Sequence, residues 1–254
     1  MHIGDDRAVR LFLALGMFFV ADALIAEFVG PKIFSLESTL GMPDFHWSLF
    51  GIHGTLTFTA GVLFWPLVFI LTDVINEYYG VRGVRLVSWL AVAFIGWAFF
   101  AAYAAIGLAP APFWVQSNAA LGVPDIQHAY ALIFGQGMWT IGGSLLAFLV
   151  GQLIDVSVFH RIRRVTGEQR IWLRATGSTA VSQLFDSFIV LYVAFVIGPQ
   201  HWPMEQFLAV GTVNYAYKMC AAVAMLPLLY VVHAGVRAYL GEPLARRLQD
   251  QATG

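Results

Sequence analysis

Residues 64–80 read FWPLVFILTDVINEYYG, an apolar run that passes without a break into Asp73, Asn76 and Glu77. The offsets i, i+3 and i+4 put these three side chains on one face of a helix. A carboxylate held in hydrocarbon costs on the order of 3 kcal/mol on the insertion scale, so two on one face need water, partners or a function. The chain around the segment decides which.

Of the 254 residues, 59% are hydrophobic and 11% charged. A soluble domain carries roughly 25% charge, so the composition is that of a polytopic membrane protein. No Asp, Glu, Lys or Arg occurs between Asp44 and Asp73, between Arg85 and Asp125, or between Asp125 and Asp155. Each gap holds one bilayer crossing of about 20 residues. The expected fold is an all-α membrane protein forming one polytopic domain. Its six transmembrane helices are placed near residues 9–28, 52–76, 84–108, 129–156, 175–197 and 207–232, with a short tail over 237–254. Helices are expected throughout, because backbone groups in lipid must be satisfied within the segment and no stretch alternates with a barrel strand's period of two.

The basic residues orient the chain, since cytoplasmic loops retain Lys and Arg. Arg7 and Arg10 precede the first span, Arg82 and Arg85 follow the second, and Arg161, Arg163, Arg164, Arg170 and Arg174 follow the fourth. Arg237, Arg246 and Arg247 follow the sixth, and the opposite side keeps only Lys32. One span more or fewer would scramble this alternation, so both termini are expected in the cytoplasm and the protein in the cell membrane, the inner membrane in a Gram-negative cell. Asp22 and Glu27 interrupt the first apolar run, which is therefore read as a retained span and not a signal peptide. The basic loop 160–174 reads as a topological signal.

Two later spans carry polar stripes. Thr179, Ser182, Gln183 and Asp186 stand at offsets of three, four and seven, as do Gly211, Asn214, Tyr215 and Lys218. Asp186 lies twelve residues beyond Arg174, or about 18 Å along a helix, and Lys218 falls at a similar depth. Pairing them would lower the cost of burying both. An ion pair that merely locks two helices is one reading; Gln183, Asn214 and Tyr215 beside the charges favour a binding site. Asp73, Glu77, Gln152 and Asp155 lie toward the cytoplasmic ends of spans two and four, where a solvated helix end, or a surface pair of Asp155 with Arg161, Arg163 or Arg164, competes with function. Asp22 and Glu27 are expected to be wet, and Pro66 and Pro227 to kink spans two and six.

No GxxxxGK[ST] loop is present, the seven histidines form no HxxxH or HExxH pattern, and Cys220 is the only cysteine, so no cofactor or metal is expected. A serine hydrolase built on Ser178 or Ser182 lacks a histidine at matching depth, and no enzyme is expected. No nucleic-acid partner is expected either.

In four segments the chain resembles the VUT family of integral membrane proteins, the queuosine-precursor transporters once grouped as vitamin-uptake proteins. They are FWPLVFILTDVINEYYG, GQLIDVSVFHRIR at 151–163, GSTAVSQLFDSFIVLYVAF at 177–195 and NYAYKM at 214–219. The resemblance implies uptake of 7-cyano-7-deazaguanine and its aminomethyl relative for tRNA modification. It also implies a six-helix fold similar to the substrate-binding subunits of energy-coupling-factor vitamin transporters. A guanine-like edge offers two adjacent N–H donors and a carbonyl acceptor, so a carboxylate can take the donors while Lys, Gln or Asn serves the carbonyl. On this reading Asp186 takes the donors, Lys218 or Gln183 serves the carbonyl, and Asn76, Asp73 and Glu77 stand at an inner gate or the floor of the site. The implied partners are the base and the bilayer. The alternative is a substrate-binding subunit, for such a base or for another flat heterocycle or vitamin, that works with a separate ATPase module.

Overall fold

The structure is a computed structural model that describes residues 7–135, 137–166 and 171–253. It is a helical, multi-pass membrane protein. Its first helix, α1 (Arg7–Val29), leads into a small crown of short strands. There β1 (Ile33–Ser35) pairs antiparallel with β4 (Thr57–Thr59), and enclosed between them lie α2 (Leu36–Leu40) and the hairpin of β2 (Trp47–Leu49) and β3 (Ile52–Gly54). Glu37 knits the crown by accepting the Leu56 N–H at 2.6 Å and the Ser35 hydroxyl at 3.0 Å. Desolvation pushes its carboxyl up, but these hydrogen bonds outweigh that and hold it below its ordinary value.

The second expected span therefore starts later than position 52. Helix α3 (Trp65–Ile106) begins after a short 3₁₀ turn, and residues 52–59 are strands of the crown. Thr and aromatic residues alternating between Gly51, Gly54 and Gly61 suit short paired strands. Pro66, expected to kink a span, sits in the first turn of α3, where its missing N–H costs nothing.

α3 is broken at Gly80, whose φ of 67° and ψ of −170° are open only to glycine. The two arms run oppositely along α1. At the start of the first, Gly61 of the preceding 3₁₀ turn lies against the Ala26 carbonyl, and at its end the Tyr79 hydroxyl donates to the Ala8 carbonyl at 2.7 Å. In the second, Phe99 stacks on Phe28 at 5.1 Å while Gly83 approaches Phe12. Gly80 is thus a reversal without a loop, and Arg82 and Arg85 follow it directly.

Short helices α4 (Pro112–Val115) and α5 (Ile126–Phe134) lead to α6 (Met138–Thr166). The fourth expected span begins inside α5, which ends at Gly135. α6 and α7 (Ile171–Leu191) pack antiparallel, and Gly143 lets the Val190 carbonyl approach to where a Cβ would lie 3.1 Å away. A π-helical turn (Tyr192–Ile197) extends α7. α8 (Met204–Ala224) and α9 (Leu226–Leu240) meet at a 45° bend around Met225, beside Pro227, where a kink was expected. The amphipathic α10 (Glu242–Thr253) closes the chain. Arg170 of the expected basic loop lies outside the described residues.

Among the described residues, four helical stretches are long and apolar enough to cross a membrane, and the bent α8–α9 pair makes a fifth. Phe19, Val68, Ile75, Val87, Ile95 and Phe148 form the main apolar core. Leu86, Trp89, Phe94, Trp97 and Phe100 point outward from the second arm of α3, the surface expected against lipid tails.

Candidate substrate-binding site

Polar side chains inside the bundle gather in two places. The first is a cavity of about 330 Å³ beneath the crown, at the low end of the volumes typical for ligand pockets. α7 brings Asp186, α8 brings Asn214 and Lys218, α1 brings Glu27, and α6 brings Thr140 and Ser144. Phe58, Trp65, Phe195 and Trp202 add aromatic rings to the lining. The π turn widens the end of α7, where the Trp202 N–H donates to the Phe195 carbonyl at 2.8 Å and the two rings stack at 4.4 Å.

Lys218 and Asp186 form an ion pair, with about one fifth or less of each side chain exposed. Ser144 donates to Glu27 Oε1. Glu27 is 7% exposed and Asp22 4%, so neither carboxylate is wet as expected from its place near a span end. The crown folds back over α1 and buries Glu27 from a direction that local sequence does not encode. Of the other polar residues of the cavity, Ser144, Thr57, Thr59 and Thr140 were not singled out by the sequence pattern, and Glu27 was read as wet.

The second cluster lies at the arginine end of the bundle. Glu77 is fully buried and accepts Arg174 Nη2 at 2.7 Å and Gln249 Nε2 at 2.8 Å, with Arg163 Nη1 3.7 Å from its other oxygen. Arg163 also donates to the Gln249 carbonyl at 2.9 Å, and Arg174 lies over the Phe159 ring at 5.5 Å. Asn76 Oδ1 is 2.9 Å from His160 Nε2. Gln152 accepts from Thr72 at 3.2 Å, and Asp155 accepts from Ser182 at 3.1 Å. The solvated helix end and the surface pair weighed for Glu77 and Asp155 are both overturned, since their side chains are buried and Arg163 turns to Glu77.

Of the residues singled out by sequence, Asp186, Lys218 and Asn214 share the large cavity. Tyr215 instead braces α7 by donating to the Ala180 carbonyl at 3.1 Å. Gln183 is buried off the cavity lining, and its Oε1 has no hydrogen-bond partner among the described residues. Asp73 lines a separate cavity of about 40 Å³ between α3, α7 and the α8–α9 bend. Lys218, Val62 and Trp65 border both cavities.

Residues 59–232 match the family described as "Putative vitamin uptake transporter". The chain belongs to this family. It is 36% identical to a Bacillus subtilis protein named "Probable queuosine precursor transporter", over 69% of this chain and 71% of that one. It is 25% identical to an Escherichia coli "Queuosine precursor transporter", over 75% of this chain and 91% of that one. A Haemophilus influenzae relative carries the Bacillus protein's name at 24% identity, over 68% and 67% of the two chains. No solved structure matches the chain. The matched region starts at the last residue of the crown and contains every polar cavity residue except Glu27 and Thr57.

Proposed function

We propose that this chain imports queuosine precursors, 7-deazaguanine bases used in tRNA modification, and that the cavity beneath the crown binds them. The relatives' names supply the substrate class. The observation that carries the reading is the Asp186–Lys218 pair at the wall of a ligand-sized cavity with aromatic sides. A guanine-like edge presents a carbonyl beside two N–H donors, so an ammonium beside a carboxylate is its complement. Lys218 donates to the carbonyl, Asp186 accepts the two N–H groups, and Asn214 completes the polar wall. Glu27, held by Ser144, is the second carboxylate and suits the ammonium of the aminomethyl base. Asp73, Asn76, Glu77, Gln152 and Asp155 belong to the inner side of the pathway.

The proposed fold has six crossings: α1, the two arms of α3, α6, α7 with its π turn, and the bent α8–α9 pair. Their count and the family resemblance support the likeness to the substrate-binding subunits of energy-coupling-factor vitamin transporters. The arginine end is cytoplasmic with both termini, in the inner membrane of a Gram-negative cell. The reading is of a transporter with no catalytic step.

Asp186→Ala and Lys218→Ala are expected to reduce uptake at least tenfold while leaving membrane expression intact. Normal uptake by both variants would contradict the assignment. Uptake by the purified chain in liposomes distinguishes a self-sufficient transporter from a subunit that needs a separate ATPase module.

A further inference from the structure

The small cavity at the α8–α9 bend holds an unusual group. Asp73 is 5% exposed, and its Oδ1 is buried without a hydrogen-bond partner among the described residues. Thr176 Oγ1, on the same lining, is likewise without one. The lining is otherwise apolar apart from Thr179, Tyr217 and Lys218, whose ammonium is engaged by Asp186.

The charges around Asp73 do not balance. Its own helix supplies Glu77, α6 supplies Asp155 and Arg163, and α7 supplies Arg174; all are at most 3% exposed. With Asp73 this makes three carboxylates against two guanidiniums, an excess of one negative charge in a region shielded from water. An uncompensated charge there is costly, and one monovalent cation at Asp73 removes it. A hard metal cation requires about six or more oxygen ligands, whereas the side chains of this cavity offer one carboxylate and three hydroxyls, those of Thr176, Thr179 and Tyr217. A proton requires only the unpartnered carboxylate oxygen.

We propose that Asp73 is the proton-binding site that couples transport to the proton gradient. A proton from the outer cavity passes the Lys218 boundary and joins Asp73 Oδ1 to give the neutral acid, with the Thr176 hydroxyl as its hydrogen-bond partner. It leaves to the cytoplasmic side when the site opens inward, restoring the carboxylate. The coupling of base import rests on the function proposed above; the proton site itself does not.

The purified full chain in liposomes tests the proposal with radiolabelled 7-cyano-7-deazaguanine. An inward pH gradient of one unit is expected to raise accumulation by the parent protein up to about tenfold for one proton per base. Asp73→Asn is expected to accumulate no base above equilibrium, and the exchange of internal for external base that it retains is expected to be independent of pH. Gradient-driven accumulation by Asp73→Asn, exchange by it that still changes with pH, or a parent that responds to a sodium gradient and not to pH would each overturn the proposal. Infrared difference spectra on acid titration read the site without cargo. The parent should show a protonated-carboxyl band that Asp73→Asn lacks, and an identical band in both proteins would overturn the site. Failure of the parent to exchange any base, with that band present, would remove the substrate reading and leave the proton site standing.

Discussion

Glu77 draws its partners from three helices: Arg163 from α6, Arg174 from α7 and Gln249 from α10. Glu77→Ala leaves two guanidiniums buried, and breaking a buried pair in this way costs about 3–5 kcal/mol. A markedly lower unfolding midpoint in detergent is expected, and an unchanged midpoint would show that the cluster contributes little. Glu27 matters for a different reason. Glu27→Gln is expected to weaken the aminomethyl base about tenfold and the uncharged cyano base by less than threefold, as read by titration calorimetry. Equal losses for both would remove Glu27 from the ammonium end of the cavity. Asp186 and Lys218 were legible in the sequence, because helical rise converts their distance from flanking residues into depth. Glu27 was not, because Ser144, its hydrogen-bond partner, and the β4 residues that share its cavity lie 30 or more residues away in the chain and meet it only in the folded bundle.

At the scale of elements, the arginines announced the turn between spans two and three, but its form at Gly80 was hidden. A reversal inside one continuous helical pattern leaves hydrophobicity unchanged, and the sequence shows only a glycine. The structure shows a backbone angle closed to other residues and a virtual Cβ 3.1 Å from the Ala252 carbonyl of α10. Gly80→Ala is expected to cost about 1–3 kcal/mol from the backbone alone. Limited proteolysis should then cut α10 faster than in the parent; unchanged protection would mean that the reversal tolerates a side chain. The crown was also misread, because apolar strand residues at 52–59 extend the hydropathy of the helix that follows. The bend at Pro227 was read correctly because a proline in the middle of a continuous apolar span removes one of its hydrogen bonds, whereas Pro66 stands at the start of its helix.

At the scale of the whole molecule, two polar clusters share one charged boundary residue. Glu27, Asp186 and Lys218 face the cavity under the crown, while Asp73, Glu77 and Asp155 with two arginines occupy the arginine end. Lys218 borders both cavities, which places the proposed base site beside the proposed proton site. The central claim is that the chain carries 7-deazaguanine bases into the cell. Its most direct test is the queuosine content of tRNA in a cell lacking its own transporter and precursor synthesis, expressing this chain and fed each base separately at low concentration. The account predicts that queuosine returns with at least one of the cyano and aminomethyl bases and is lost again in Asp186→Ala; no queuosine with either base, in cells that display the protein in the membrane, would contradict it.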